Sequence, residues 1–90
     1  MRTLEDKILS FDNWSRPWTF YEFVYNDKTL SETELNFFNE IWTKAGDSEL
    51  WNSADLILCC KASQIFIAEN YDLTDKAIAN IVRALSYQWK

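Results

Sequence analysis

Ninety residues that are 48% hydrophobic suffice for one domain with a modest core, and are too few for a core plus an enclosed substrate pocket of usual size. That hydrophobicity excludes the disordered class, and a single glycine (Gly46) with a single proline (Pro17) leaves an all-β fold short of turn residues. A formal charge of −5 argues against general binding to phosphate backbones, which calls for a positive patch.

Thr3 and Asp6 have the spacing of a helix start, and the helix they open would carry Leu4, Ile8, Leu9 and Phe11 until Trp14-Ser15-Arg16-Pro17 breaks it. From Trp18 to Tyr25 the run is rich in strand formers, with Glu22 its one strong helix former. No second segment offers it a strand partner, and an isolated strand leaves backbone groups unpaired. A helix with Pro17 in its first turn is the resulting expectation, with a strand paired across a homodimer as the alternative. As a helix, the segment puts Phe20 and Val24 on one stripe and Trp18, Tyr21 and Tyr25 on another.

The clearest local signal is Leu30-Ser31-Glu32-Thr33-Glu34-Leu35. Ser31 and Glu34 have capping-box spacing, and Leu30 and Leu35 occupy the hydrophobic-staple positions. The helix they open has its apolar stripe at Leu35, Phe38, Ile41, Trp42 and Ala45, with Phe37 displaced from it and Gly46 where a left-handed C-cap is wanted. A second helix is predicted to follow almost at once, capped by Asp47 or Ser48 and running over about 48–69. One stripe of it holds Leu50, Ala54, Ile57, Leu58, Ile65 and Ala68; the other flank holds Leu56, Cys59, Ala62, Phe66 and Ile67, with Trp51 at the edge. A helix apolar nearly all round is buried on more than one side, so this one is expected at the centre.

Thr74 as N-cap, with Leu73 and Ile78 as staple, opens a last helix with the stripe Ile78, Ile81, Val82, Leu85 and Trp89, predicted to reach the C-terminus. Lys76, Arg83 and Lys90 recur on its other side as a solvated face. The sum is a single all-α domain over residues 1–90, a small four- to five-helix bundle with a central buried helix at about 48–69.

The chemistry that is missing narrows function. There is no histidine, hence no usual general base, metal ligand or switch near neutral pH. Carboxylate pairs such as Asp72 with Asp75 or Asp47 with Glu49 lie at helix starts, where acids favour the helix dipole without catalysis. Adjacent Cys59 and Cys60 fit neither a Cys-x-x-Cys redox pair nor a zinc site and read as buried small hydrophobes. One glycine cannot build a phosphate-cradling loop. The segment Leu73 to Ala79 looks like the opening of a helix-turn-helix, but no recognition helix fits before Lys90. No catalytic residue, metal or cofactor is therefore expected, and no direct nucleic-acid binding. Cysteine usage and the absence of a secretory start predict the cytoplasm, and the most apolar stretch, Ala54 to Ala68, is interrupted by Asp55 and Lys61, so no membrane span is expected.

Two positive signals remain. Residues 22–55 hold eight acids against Lys28 and Lys44, a local charge of −6 that would steer basic partners. Fifteen aromatic rings exceed what a small core readily hides. Exposed rings beside acids have the composition of an interface, and Trp18, Tyr21, Tyr25, Glu32, Glu34, Phe37, Glu40 and Trp51 are the candidate partner-binding residues. The expectation is a non-enzymatic interaction module, an inhibitor or adaptor docking on a basic patch of another protein. By analogy of charge and size, phage or mobile-element proteins that occupy the basic grooves of nucleic-acid-handling machinery are the familiar instances. A homodimer burying the surplus rings and a small-molecule binder are the alternatives.

Overall fold

A computed structural model describes residues 2–89. Five α-helices follow in chain order: α1 (Arg2–Ser10), α2 (Phe20–Tyr25), α3 (Glu32–Ala45), α4 (Leu56–Asn70) and α5 (Asp75–Gln88), with a 3-10 turn at Pro17–Thr19 leading into α2. Among the described residues there is no strand, so the Trp18 to Tyr25 run is helical, with Pro17 in the first turn as its fixed φ favours.

The caps form where side chains can reach their own backbone. Ser31 Oγ accepts from Glu34 N at 3.1 Å while Glu34 Oε1 accepts from Ser31 N at 3.2 Å, completing the capping box of α3. Thr74 Oγ1 accepts from Ala77 N at 3.3 Å and starts α5. Helix α1 is already helical at Arg2, so Thr3 lies inside it rather than capping it. Helix α5 ends at Gln88 with Trp89 as its C-cap, one residue short of the expected stripe that included Trp89, and Lys90 on its solvated face lies outside the described residues.

Helix α5, not α4, is the centre of the bundle. Ala77, Ile78, Ile81, Val82, Ala84 and Leu85 are buried, an arc roughly 160° wide at ~100° per residue. It packs against α4, α1, α3 and the 3-10 turn. The Cα trace is 19 Å through its shortest dimension, and every helix carries exposed positions.

The segment expected as the first turns of a helix over 48–69 is instead a run of turns, and α4 begins at Leu56 with Asp55 as its N-cap. Polar side chains hold the turns: Asp47 Oδ1 accepts from Glu49 N at 2.8 Å, Ser53 Oγ from Asp55 N at 3.1 Å and Asp55 Oδ1 from Ile57 N at 3.0 Å. Trp51 fills the space behind them, 5% exposed, donating its indole N–H to Ala45 O at 2.8 Å and stacking on Trp89 at 6.5 Å. Helix α4 buries Cys59, Ser63 and Ile67, with Leu56, Cys60, Ala62 and Phe66 half-buried. The stripe expected to face the core points out: Ile57 is 68% exposed, Leu58 56% and Ile65 55%.

Gly46 closes α3 at φ −93°, ψ 10°, and so is not the left-handed cap that a terminal glycine suggests. A Cβ there would stand 2.8 Å from Leu85 Cδ2 and 2.9 Å from Trp42 O. Glycine is needed for the close approach of α5, and Trp89 Nε1 donates to the Gly46 carbonyl at 3.1 Å from the end of that helix. Two further ties fix α1: Glu5 Oε1 accepts from Thr74 N at 2.7 Å, and Asn80 Nδ2 donates to Ile8 O at 3.1 Å. Asp27 anchors the α2–α3 loop by accepting from Thr29 Oγ1 and Thr29 N and by pairing with Lys7 at 3.3 Å. Those Thr29 bonds, with Lys7 adding less, hold its carboxyl below the ordinary 3.8. No helix among the described residues is long and apolar enough to cross a membrane.

Candidate functional site

Most of the rings are used internally. Phe11 meets Trp14, Phe20 and Phe23 edge-on at 4.9, 5.2 and 5.2 Å, and Phe20 stacks on Trp42 at 5.8 Å. Each such pair contributes about 0.5–1.5 kcal/mol beyond its buried area. Cations cover two rings of the same cluster, Lys7 over Phe23 at 3.8 Å and Arg83 over Trp14 at 4.2 Å. The surplus of rings is thus chiefly a core of ring pairs, and four rings remain exposed: Trp18, Tyr25, Tyr87 and Trp89.

Helix α3 organises what the predicted residues form. At ~100° per residue, Glu32, Asn36, Asn39, Glu40 and Thr43 share one side of it, and all five are exposed. One edge of that stripe meets α2: Tyr21 Oη donates to Asn39 Oδ1 at 2.6 Å, Tyr21 lies 5.4 Å from Trp42, and Tyr25 stacks on Tyr21 at 5.3 Å. The other edge is Phe37, edge-on to Tyr71 at 5.5 Å, and Tyr71 Oη donates to Glu40 Oε2 at 2.9 Å. Glu40 also lies 3.8 Å from Lys44. Burial, then the hydrogen bond to Glu40 and its charge, push the Tyr71 phenol up to about 12.

Trp18, Tyr21, Tyr25, Glu32, Phe37 and Glu40 therefore lie on or beside one acidic, ring-edged face. Two predicted residues do not join it. Trp51 is a core side chain because its indole caps the turn after α3, and Glu34 is half-buried and engaged with the N-cap of its own helix. Five residues of the site lie outside the predicted set. Pro17, Trp18, Tyr21, Glu22, Trp42, Ala84 and Gln88 line a cleft of about 290 Å³ between α2, α3 and α5. Pro17, Glu22, Trp42, Ala84 and Gln88 are the additions; the sequence counted Glu22 among the acids of residues 22–55 and set Trp42 in the apolar stripe of its helix, and neither placement points to a cleft.

A second cleft of about 320 Å³ lies over Lys44, Asp47, Glu49, Leu50 and Phe66. No buried side-chain nitrogen or oxygen among the described residues lacks a hydrogen-bond partner, and no group of three or more His, Cys, Asp or Glu among them could hold a metal ion. Cys59 is buried with Sγ 3.6 Å from Ser53 O. Burial, with Cys59 adjoining, pushes the Cys60 thiol up, which disfavours the reactive thiolate. No protein-family model matches the chain, and no curated protein or solved structure matches it.

Proposed function

We propose that the chain is a non-enzymatic protein-interaction module, an inhibitor or adaptor, that docks an acidic, ring-edged face on a basic patch of another protein. The observation that carries this reading is the α3 stripe from Glu32 to Thr43, set between Tyr21 and Trp42 on one edge and Phe37 and Tyr71 on the other. Carboxylates there attract a basic surface and fix its register, while the rings offer area of the kind that dominates binding energy.

The test compares immobilised wild-type protein with the triple variant Glu22→Lys, Glu32→Lys, Glu40→Lys against extract of the source cell. All three side chains are exposed, so the fold should survive. The reading predicts a basic partner held by the wild type, released by salt and not held by the variant. Equal retention by both contradicts it. Glu34 is left unchanged, since reversing it would also break the cap of α3.

The open side of α4 favours a second reading, self-association. Ile57, Leu58 and Ile65 are more than half exposed, and the only charges within α4 are Lys61 and Glu69. Two chains of net charge −5 can meet there with few opposing carboxylates, and three aliphatic side chains leave water. This differs from the expected dimer in what it buries: aliphatic side chains of α4 rather than rings. Light scattering across a dilution series decides, with Ile57→Glu plus Ile65→Glu as the control. A monomer at every concentration removes this reading.

A further inference from the structure

We propose that the cleft lined by Trp18, Tyr21, Glu22 and Trp42 is a pocket for one cationic side chain, an arginine guanidinium or a lysine ammonium presented by the partner; it rests on the docking face proposed above and names what that face grips. The rings are held from behind. Phe20 covers one face of Trp42 at 5.8 Å, and Tyr25 covers one face of Tyr21 at 5.3 Å, with planes 27° and 15° from parallel. The Tyr21 hydroxyl is fixed on Asn39 at 2.6 Å. The Tyr21 and Trp42 planes cross at 49° with centroids 5.4 Å apart, which makes a corner rather than a stack. Trp18, 70% exposed and without a ring partner among the described residues, stands as a free wall of the same cleft.

The lining is electron-rich and carries no cationic side chain. Glu22 is its one charged group and has no ion-pair partner among the described residues, while Gln88 adds a carboxamide. A cation over such rings is drawn to their negative faces, most strongly by Trp, and a carboxylate at the rim adds Coulomb attraction. A neutral ligand would bury Glu22 without compensation. The volume of about 290 Å³ admits one side-chain head. The other cleft has Lys44 in its lining and a single ring, Phe66, so it lacks this chemistry.

The experiment titrates Nα-acetyl-arginine amide and its neutral isostere Nα-acetyl-citrulline amide at constant ionic strength, following indole and carboxamide signals in nitrogen–proton correlation spectra. Arginine amide should shift Trp18, Trp42 and Gln88 signals saturably, and citrulline amide should bind about tenfold more weakly or less. Trp18→Ala should abolish the shifts, and the exposed Glu22→Gln should weaken them several-fold with the spectrum otherwise unchanged. Equal shifts from citrulline, or no saturable shift at the cleft, overturn the pocket. If the pocket fails while a basic partner is still lost on reversing Glu32 and Glu40, the docking face stands without it; if that partner is also absent, both fall.

Discussion

The indole N–H of Trp51 donates to the Ala45 carbonyl oxygen over 2.8 Å, a buried bond that turns the chain out of α3. The same oxygen accepts from Ser63 Oγ of α4 at 3.0 Å, so two elements converge on one acceptor. Trp51→Phe keeps most of the packing and leaves Ser63 in place, and should cost about 1–2 kcal/mol in urea unfolding. Trp51→Ala should cost ~3–5 kcal/mol by opening a cavity. Combining Trp51→Phe with Ser63→Ala strands the carbonyl, and the loss should exceed the sum of the single losses. Additive losses would show that the two bonds act independently.

Gly46→Ala should lower stability by about 1–2 kcal/mol, because the new methyl meets the Trp42 carbonyl oxygen as well as Leu85 and only the leucine can yield. Its φ of −93° suits alanine, and the gain from a stiffer unfolded chain is ~0.4–1 kcal/mol, less than the overlap costs. An unfolding midpoint equal to or above wild type would contradict the close approach of α5.

Tyr71 supplies a pH signature. Its phenol is pushed up to about 12 from an ordinary 10.0, so the folded state holds the proton more tightly than the unfolded chain. The stabilisation is fully present below pH 10.0 and is lost as pH rises through about 12. Tyrosinate absorbance, assigned by difference with Tyr71→Phe, should show this late titration. Glu40→Gln should bring it part of the way back, since burial remains the larger cause. Titration of Tyr71 at 10.0 in the wild type would remove the Glu40 contact from the face.

What was legible in the sequence follows the range of the forces involved. The caps at Ser31 and Thr74 close within three residues, and both form as their spacing implies. The split of Phe20 and Val24 from Trp18, Tyr21 and Tyr25 also holds, because one turn of helix decides it. Helix α4 is different: a helix apolar all round carries no periodic signal for which side faces in. Tertiary packing chose the side with Ser63, which bonds Ala45 O, over the side with Ile57 and Ile65. Asp47, Ser48, Asn52, Ser53 and Asp55 were a turn-forming run in plain view, outweighed by the apolar residues interleaved among them. In the site, Trp18 and Tyr21 could be found from one element, whereas the cleft also needs Trp42 of α3 and Gln88 of α5.

The most direct measurement maps an arginine-rich peptide onto the protein by nitrogen–proton correlation spectra, with and without Glu32→Lys and Glu40→Lys. Saturable shifts are expected to cluster on Trp18, Tyr21, Glu22, Glu32, Glu40 and Trp42, fading as salt is added and about tenfold weaker in the variant. Shifts centred on Ile57 and Ile65 of α4, or affinity that the reversals leave unchanged, would contradict it.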